Sequence, residues 1–451
     1  MRIPTHIPMG FKLCILAIPT QTHVMRDLLF SNVLIMDRAS PWHSDRVDIH
    51  IQGNAIERIA QKLDGISDDV LHIDGTNLVC TPGWIDIGVQ VCDPGLEHRE
   101  DLSTVTRAAA KAGFTAIGCL PNTKPALHSK AELLYLRNSS THLPVDCLPV
   151  GAVSRHCSGT DITEMYDLHN AGAVAFSNGS EPIADAGLML RALQYVKAFD
   201  SLVMNAPLDR TIAPEGLVHE GFVSTRMGVK GIPSLAESMM VERDLRLAEY
   251  TNSQLHISNI SSARSVEAIR AAKNRGIQVT ASVPILNLAF CHEEVSGFDA
   301  AWKVMPPVRD PTDRDALVEG LLDGTIDAIS ANHVPWDDES KKKEFPYAEF
   351  GVSGLDTFYG LYQTKLADKI DLETFVDAMS HGPRRIFRLP QYRVDIKQPA
   401  TLTMIQPSVQ WECTHHSFSS KSSNSPLIGQ ILNGQVAGIV QKGEWIPAQE
   451  A

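Results

Sequence analysis

The stretch GWIDIGVQVCDPGLEHRED, residues 83–101, decides the fold of this chain. Its alternating apolar residues over 84–91 predict a buried β-strand, and the Asp-Pro-Gly that follows predicts a turn. In an α/β barrel such a strand carries functional side chains to a pocket at its C-terminal end. The residues at those places are Gly88, Gln90 and Cys92, so the sequence predicts a pocket without an obvious reactive group.

From residue 82 onward, strand-like segments alternate with helical ones. The helical pattern over 104–112 ends at Gly113 and is followed by a strand-like run, and the same order recurs along the chain. Eight candidate parallel strands have their cores at residues 84–89, 115–120, 146–150, 173–176, 202–204, 255–257, 278–282 and 328–330. Eight such βα units predict an α/β fold, a (β/α)8 TIM barrel whose pocket is built by the loops after the strands.

The two ends of the chain lack this alternation. Short β-prone runs separated by Gly, Asn, Asp and Pro fill residues 28–79, and strand-like runs return at 400–404 and 430–440. The simplest arrangement joins both sets of strands in one small unit that the barrel interrupts in sequence. We therefore predict a flexible leader over 1–24, a composite β-sandwich from 25–81 and 391–451, and a barrel over 82–390.

Composition and charge disfavour several classes of partner. In the 451 residues, 40 basic and 53 acidic side chains give a net charge of −13, which disfavours nucleic acid. The eight cysteines are scattered without a CxxC pair, which indicates a reducing cytoplasm. The apolar run 11–18 is too short to span a membrane, so no membrane partner is expected. A signal peptide is the alternative for this run, although a convincing small-residue cleavage site is lacking.

Blocks of sequence spread over the chain carry a resemblance to a known family. They are, in order, PGWIDIGVQVCDPGLEHREDL, AAAKAGFTAIGCLPNTKP, FSNGSEPIADAGLMLRAL, VMPPVRD, DGTIDAISANHVP, FGVSGLDT and SKSSNSP. From Met25 to the C-terminus the chain resembles a dihydroorotase of the amidohydrolase superfamily. The resemblance implies the fold of a metal-dependent cyclic amide hydrolase, with two zinc ions in active members and a homodimer as the default oligomer.

The resemblance also locates the departures of this chain from active members. In those, the first barrel strand ends in His-x-His, the fourth supplies a bridging carboxylate, the fifth and sixth each supply a histidine, and the eighth supplies an aspartate that is both ligand and base. The corresponding positions here are Gly88, Gln90, Asn178 or Gly179, Asn205, Asn259 and Asn332. Side-chain amides are neutral, weak zinc ligands, so we expect no metal and no cofactor. Because Asn332 replaces the base, no catalytic residue is expected to be intact.

The substrate side of the predicted site is altered as well. Cys92 replaces the arginine that the resemblance assigns to the orotate carboxylate, Met305 replaces an asparagine, and Trp336 replaces a histidine. Asn122 and Gly351 remain as vestigial substrate-binding positions, although loop geometry alone accounts for either. Hydrogen bonds of the asparagines with one another or with water are expected to satisfy the polar cavity without metal charge.

Other reactive side chains have simpler interpretations. His256 and His333 lie one motif position away from the ligand positions and are interpreted as packed residues. Cys92 is a possible nucleophile beside His333, but no spacing enforces it, and a buried, inert thiol is the simpler interpretation. The Cys-Thr-His-His cluster at 413–416 lacks matching metal ligands elsewhere. The lysine run 341–343 is interpreted as a solvated face.

Three functions remain open from the sequence. The first is a catalytically inactive dihydroorotase-like protein that is a structural or regulatory partner in pyrimidine biosynthesis, for example of aspartate carbamoyltransferase or of an active dihydroorotase paralogue. The second is a homo-oligomeric interaction protein without a link to pyrimidines. The third is an atypical cyclic amide hydrolase that converts dihydroorotate to carbamoyl aspartate in a non-standard site. The missing ligands count against the third, whereas the first two rest on family analogy.

Overall fold

A computed structural model describes residues 27–449 of the protein. The predicted leader over 1–24, with its apolar run 11–18, lies outside the described residues. Within the described part of the chain, no helix combines the length and the apolar character that crossing a membrane requires.

The strands and α-helices are numbered in chain order. The strands are β1 (Leu28–Ile35), β2 (Arg46–Gln52), β3 (Ala55–Ala60), β4 (Leu71–Asp74), β5 (Val79–Pro82), β6 (Trp84–Val89), β7 (Phe114–Cys119), β8 (Asp146–Ala152), β9 (Ala175–Ser177), β10 (Leu202–Asn205), β11 (Val218–His219), β12 (Gly231–Ile232), β13 (Gln254–Ile257), β14 (Val279–Pro284), β15 (Ala328–Ser330), β16 (Leu402–Glu412), β17 (Ile431–Gln441) and β18 (Glu444–Pro447). The helices are α1 (Leu102–Lys111), α2 (Lys130–Ser140), α3 (Met165–Asn170), α4 (Ala186–Lys197), α5 (Phe222–Met227), α6 (Ser234–Thr251), α7 (Ala263–Asn274), α8 (Ile285–Ala289), α9 (Pro311–Leu322), α10 (Asp338–Lys341), α11 (Phe358–Lys365), α12 (Leu372–Val376) and α13 (Gly382–Ile386).

Eight parallel strands of the described chain form a barrel. Their hydrogen-bonded order is β15-β14-β13-β10-β9-β8-β7-β6. The two ends of this sheet meet where Gln90 N, just after β6, donates to His333 O, just after β15, at 3.1 Å. Inside the barrel, the buried side chains of Ile85, Ile87 and Met204 pack in one apolar cluster. The cluster fills the barrel up to the C-terminal ends of the strands, where a cavity begins.

Local sequence explains how one βα unit is positioned. The Asp101 carboxylate accepts from Thr104 N at 2.9 Å, and Thr104 Oγ1 accepts from Asp101 N at 3.2 Å, so α1 begins with two satisfied backbone donors. The chain turns at Gly113, whose φ is +94°. A Cβ at this position would lie 2.8 Å from Thr403 Cγ2 and 2.9 Å from the Trp84 ring, so only glycine allows β7 to start this close to the small sheet.

Strands from both ends of the chain pair in the small sheet. Its order is β18-β17-β16-β5-β1-β2-β3, with β4 paired to β1. The late strand β16 runs antiparallel to the early strand β5, with Met404 opposite Cys80. Phe30, Ile49 and Met404 are fully buried in the core of this unit. The predicted fold, an α/β TIM barrel with a small composite β unit from both chain ends, is confirmed.

Candidate functional site

A cavity of about 580 Å³ opens at the C-terminal ends of the barrel strands. Five of the seven residues named for the predicted ligand positions line it: Gly88, Gln90, Gly179, Asn259 and Asn332. Asn178 and Asn205 are buried and do not belong to the lining. The structure therefore brings five of these residues together around one space and directs the other two elsewhere. Clefts of this volume are typical of sites for small molecules.

Hydrogen bonds of the protein itself hold the end of β6. The buried Asp86 carboxylate accepts from Gly88 N at 2.9 Å and from the backbone N–H just after β15 at 2.7 Å. Gln90 Oε1 accepts from Arg99 Nη2 at 3.1 Å, so the amide of Gln90 has a cationic partner. A Cβ at Gly88 would meet only the Leu120 side chain, at 3.7 Å, which leaves room for a larger residue here.

The two candidate positions for the bridging carboxylate follow β9. Asn178 Oδ1 accepts from Ser154 N at 3.0 Å and from Ser154 Oγ at 3.1 Å, whereas its Nδ2 has no partner among the described residues. Gly179 lines the cavity with a φ of +65°, and a Cβ there would overlap Asn122 Oδ1. The position that faces the cavity therefore has no space for a side chain unless Asn122 moves.

Asn205, at the end of β10, bonds to groups outside the cavity. Its Oδ1 accepts from Ile183 N at 2.9 Å, and its Nδ2 donates to Asp244 Oδ2 at 2.7 Å. Asp244 lies on α6, is fully buried, and forms an ion pair with Arg243 at 2.7 Å. Burial raises the pKa of Asp244, while the Arg243 charge and the Asn205 hydrogen bond oppose that shift. The amide of Asn205 thus supports a buried carboxylate.

Asn259 and Asn332 contact each other at the mouth of the barrel. Asn259 Nδ2 donates to Asn332 Oδ1 at 3.2 Å, and Asn259 Oδ1 accepts from Ser330 Oγ at 2.7 Å. Asn332 Nδ2 donates to Met305 O at 3.0 Å. Both asparagines have a left-handed backbone, with φ of +56° and +49°, which asparagine adopts more readily than most residues. The sequence predicts hydrogen bonds between the asparagines at the ligand positions. In the described chain, Asn259 and Asn332 are the two that form such a bond with each other.

The vestigial positions Asn122 and Gly351 both line the cavity. Asn122 Nδ2 donates to Asn178 O at 3.0 Å, and its Oδ1 accepts from Ser180 N at 3.0 Å, so its amide joins two loops. A Cβ at Gly351 would lie 2.5 Å from Val334 O, which explains the glycine by packing. Loop geometry accounts for both residues in this structure.

The reactive side chains near the site are packed. His256 is fully buried between Thr280 Oγ1, 2.9 Å from Nδ1, and Ser282 Oγ, 3.1 Å from Nε2, and burial lowers its pKa to about 3. His333 is also fully buried, with Nε2 3.6 Å from Glu100 Oε2. Burial raises the pKa of the Cys92 thiol to about 11, so little thiolate forms at neutral pH.

The Cys413 region does not assemble a metal site. Cys413 is buried, and burial raises the pKa of its thiol to about 11. His415 Nδ1 lies 2.8 Å from Ser423 Oγ. Within residues 27–449, a group of three potential metal ligands lies elsewhere. It consists of His219, Asp310 and Asp313, whose ligand atoms lie within 4.8 Å of one another.

The His219 cluster lies beside a guanidinium. His219 Nε2 is 3.7 Å from Asp310 Oδ2, and His219 Nδ1 is 3.2 Å from Arg309 Nη1. Burial, followed by the Arg309 charge, lowers the pKa of His219 to about 4. The guanidinium donates to Nδ1, so the remaining proton of the neutral imidazole is on Nε2, the atom that faces the carboxylates. A cation here would meet that proton and the Arg309 charge, which disfavours binding.

Sequence reasoning missed a group of buried cations beside the cavity. Arg99 is only 7% exposed, lines the cavity and stacks on Trp336, with its guanidinium carbon 3.5 Å from the ring centroid. Its Nε and Nη2 donate to Pro335 O at 3.0 and 2.8 Å. Burial lowers the pKa of Arg99, and no carboxylate of the described residues forms an ion pair with it.

Lys303 and Lys341 lie behind the same part of the cavity. Lys341 Nζ donates to Gly351 O at 3.0 Å, and Lys303 Nζ donates to two carbonyls at residues 345–346, each at 2.9 Å. Burial, with the Lys303 charge, lowers the pKa of Lys341 to about 8. The predicted solvated face at 341–343 is wrong for Lys341, because α10 directs this side chain into the loop that contains Gly351. Arg99, Lys303 and Lys341 are called the cationic wall below.

Comparison with known proteins agrees with this architecture. Residues 77–265 match the family model described as "Dihydro-orotase-like". Among solved structures, an L-hydantoinase (dihydropyrimidinase) from Arthrobacter aurescens superposes with a TM-score of 0.81 over 94% of this chain and 98% of that chain. The two sequences are 21% identical, so this likeness concerns the fold alone.

Curated relatives are closer in sequence. A dihydroorotase of Pelotomaculum thermopropionicum is 39% identical over 389 residues, which cover 86% of this chain and 91% of the relative. A dihydroorotase of Geotalea daltonii is 38% identical over 402 residues, which cover 89% of this chain and 94% of the relative. Similarity of this extent, on a barrel with the expected strand order, shows that the chain belongs to the dihydroorotase family of amidohydrolases.

Proposed function

We propose that this protein is a catalytically inactive, dihydroorotase-like partner in pyrimidine biosynthesis, with a structural or regulatory role. Aspartate carbamoyltransferase and an active dihydroorotase are the proposed partners. One observation carries the proposal: each side-chain amide at a predicted ligand position already has a hydrogen-bond partner in the protein. These contacts stabilise the strand ends without a metal, so the fold does not depend on the chemistry of the family.

The donor set does not fit the two zinc ions of active family members. Zinc sites in proteins use histidine, cysteine and carboxylate groups, which bind as deprotonated donors. Gly88 offers no side-chain donor, and the remaining positions offer neutral amide groups. Asn205 Nδ2 points toward Asp244, outside the cavity. We therefore assign no catalytic step to zinc in this protein.

The predicted base position also offers no group that can take a proton. Hydrolysis of a cyclic amide requires a group that takes a proton from water, and that group must reach the water. Asn332, at the base position, has a neutral amide that already contacts Asn259 and Met305. The nearby imidazole of His256 has hydroxyl partners at both nitrogens. Neither side chain replaces the family's aspartate.

Exposed aromatic side chains support a role in association. Phe222, Tyr250 and Tyr347 are 74%, 77% and 73% exposed. Large aromatic residues of this kind are enriched among the anchors of protein interfaces. Homodimers are the proposed default state, and the outer helices and loops are the proposed sites of contact with partners.

Two measurements test the proposal. The first combines elemental analysis of the purified protein with assays of dihydroorotate hydrolysis and carbamoyl aspartate cyclisation, with and without added zinc. We expect no turnover under any of these conditions. The second is co-purification with aspartate carbamoyltransferase and with an active dihydroorotase, using the wild type and Asn259→Ala. Partner binding should survive Asn259→Ala, because this residue faces the cavity. Loss of partner binding in a folded Asn259→Ala protein would place the function in the cavity.

An atypical cyclic amide hydrolase is the second candidate. The observation that favours it is the cavity itself, which remains open at about 580 Å³ where family members bind substrate. Zinc-independent turnover of dihydroorotate that disappears in Asn332→Ala would support this candidate. The same result would overturn the proposal of an inactive protein.

A further inference from the structure

We infer that His128 and His156 form a binding site for one divalent transition-metal ion, at the rim of the barrel and outside the cavity. His128 lies in the loop after β7, and His156 lies in the loop after β8. Neither residue belongs to the cavity lining or to the predicted ligand positions. The inference is independent of the proposed function, because this site and the cavity consist of different residues.

The two imidazole rings lie close enough to bind the same ion. Their centroids are 4.3 Å apart, and the ring planes are inclined at 56°. A metal–nitrogen bond of about 2.1 Å places the ion about 3.2 Å from the ring centre, so two imidazoles bound at a right angle have centres about 4.5 Å apart. The observed separation is therefore close to that of two neighbouring ligands in an octahedral or square-planar complex.

Hydrogen bonding leaves one nitrogen of His128 free for a metal. Its Nδ1 lies 2.8 Å from Ala126 O. A carbonyl oxygen only accepts, so Nδ1 carries the proton of the neutral imidazole and Nε2 carries the lone pair. Histidine ligands usually have this arrangement, in which a backbone carbonyl fixes the tautomer and the orientation of the ring. His128 is partly buried, whereas His156 is exposed, so an ion can reach the pair from solvent.

The backbone that carries His156 is strained. His156 and Cys157 both have a left-handed backbone, with φ of +56° and +55°. This conformation is unfavourable for residues with a Cβ, and it persists where surrounding contacts fix it, often at functional sites. The fixing contacts here are Cys157 N to Ser154 O at 3.0 Å and Gly159 N to Ser154 Oγ at 2.8 Å. The chain therefore keeps a strained turn that holds His156 against His128.

The two loops are also fixed to each other beneath the histidine pair. Ala126, Ala152 and Cys157 form a small buried apolar cluster. Next to this cluster, Ala152 N donates to Leu127 O at 2.8 Å. Ligands that are already in place lose less conformational entropy when they bind an ion, so this packing favours binding.

The available donors determine the class of ion. Two neutral imidazoles suit Zn²⁺, Cu²⁺ and Ni²⁺, whereas Mg²⁺ and Ca²⁺ prefer oxygen ligands. The Cys157 thiol adds no third ligand, because it donates to Pro121 O at 3.9 Å and burial raises its pKa to about 12. Water would complete the coordination, and Cu²⁺ should bind more tightly than Ni²⁺ or Zn²⁺.

Calorimetric titration of the full-length protein with Ni²⁺, and with Mg²⁺ as the control ion, tests the inference. We expect one Ni²⁺ site that does not bind Mg²⁺. His128→Asn keeps a donor for Ala126 O and removes the ligand nitrogen, so it should weaken Ni²⁺ binding at least about tenfold. His142→Ala, which removes a different exposed histidine, is the matched control and should leave the affinity unchanged. No Ni²⁺ binding by the wild type, unchanged affinity in His128→Asn, or an equal loss in His142→Ala would overturn the inference.

His156→Gly keeps the test decisive if the loss of an imidazole disturbs the loop in His128→Asn. Glycine adopts a positive φ without the strain of a Cβ, so this variant is expected to fold. Ni²⁺ should raise the melting temperature of the wild type, because the ion binds the folded pair, and this increase should disappear in His156→Gly. Electron paramagnetic resonance of the Cu²⁺ complex should show coupling to two imidazole nitrogens in the wild type and to one in His156→Gly. Retention of the Ni²⁺-dependent increase, or of both nitrogen couplings, in folded His156→Gly would place the ion elsewhere and overturn the inference.

Discussion

The amides at the family's ligand positions and the cationic wall differ in how their buried polar groups are satisfied. Asn205 and Asn259 exchange hydrogen bonds with neighbouring side chains and backbone, and these groups are neutral except for Asp244. Arg99 and Lys341 bond almost entirely to carbonyl oxygens, so their positive charges have no carboxylate partner in the described chain. A neutral amide with local partners is easily accommodated in a protein interior, whereas a buried cation without an anion is not.

The amides stabilise the barrel mouth, whereas the cationic wall sets the charge beside its cavity. The amides of Asn205 and Asn259 bond to groups of the protein itself, whereas Asn178 Nδ2 has no partner among the described residues. The members of the cationic wall form no ion pair in the described chain, and the charge of Glu349 partly opposes the effect of burial on the pKa of each member. At the predicted ligand positions, this member of the dihydroorotase family presents a glycine and neutral amides, and its barrel mouth keeps an open cavity.

The largest effect is expected from a carboxylate at Gly179. Gly179→Asp should lower the free energy of unfolding by about 4 kcal/mol, because the new Cβ overlaps Asn122 Oδ1 at a φ of +65°. Asn178→Asp is the matched control: its oxygen still accepts from Ser154, and the Nδ2 that it removes has no partner. We expect a smaller loss of about 2 kcal/mol there, because the two Ser154 donors only partly offset the cost of burying a carboxyl group. Urea unfolding followed by circular dichroism measures both, and equal losses would contradict the crowding argument.

The barrel was predictable from sequence because its signal is repeated. Most βα units have an apolar strand, and several of their helices end near a glycine, such as Gly113, Gly276 and Gly324, so an error in one unit leaves the count unchanged. The fourth strand illustrates this: the sequence places it at residues 173–176, and the structure has Ala175–Ser177. The small composite sheet was predictable for the same reason, from β-prone runs at both chain ends.

The direction of each site side chain was not predictable from sequence. Family motifs locate Asn205 at a strand end, but its amide bonds to Asp244 on α6, more than thirty positions away in the chain. Lys341 stands in a run of three lysines, and only the packing of α10 against the Gly351 loop buries it. Arg99 gave no sequence signal, since its partner Trp336 follows the eighth barrel strand. Such contacts depend on tertiary structure, and a single sequence does not encode them locally.

Truncation of two asparagines compares amides inside and outside the cavity. Asn205→Ala should reduce the free energy of unfolding by about 3 kcal/mol, since Asp244 and Ile183 N both lose a buried partner. Asn259→Ala should cost about 1 kcal/mol, because water in the cavity can replace its contacts. Chemical denaturation of the two variants gives the comparison. A larger loss for Asn259→Ala would mean that the cavity-facing pair is the main support of the barrel mouth.

The buried ammonium of Lys341 should make stability depend on pH. Its pKa is lowered to about 8 in the folded protein, from an ordinary value of 10.5, because burial disfavours the charged form. The unfolded chain therefore binds more protons between these values, so stability rises with pH across that window, by up to about 1.4 kcal/mol per unit. Lys341→Met removes this contribution. The free energies of unfolding of wild type and Lys341→Met should diverge between about pH 8 and about pH 10, and parallel curves would contradict the assignment.

The smallest effect is expected from restoring the first histidine pair. Gly88→His and Gln90→His together should leave dihydroorotate hydrolysis undetectable, with or without added zinc. The cavity has space at Gly88, so the double variant is expected to fold, although Arg99 Nη2 loses its contact with Gln90. The bridging carboxylate, the two later histidines and the base would still be absent at Asn178, Asn205, Asn259 and Asn332. Residues that act as one catalytic unit contribute non-additively, so one repaired pair gains almost nothing. Turnover above the wild-type level in a folded double variant would show that the site needs only these two donors, and the proposal of an inactive protein would then fail.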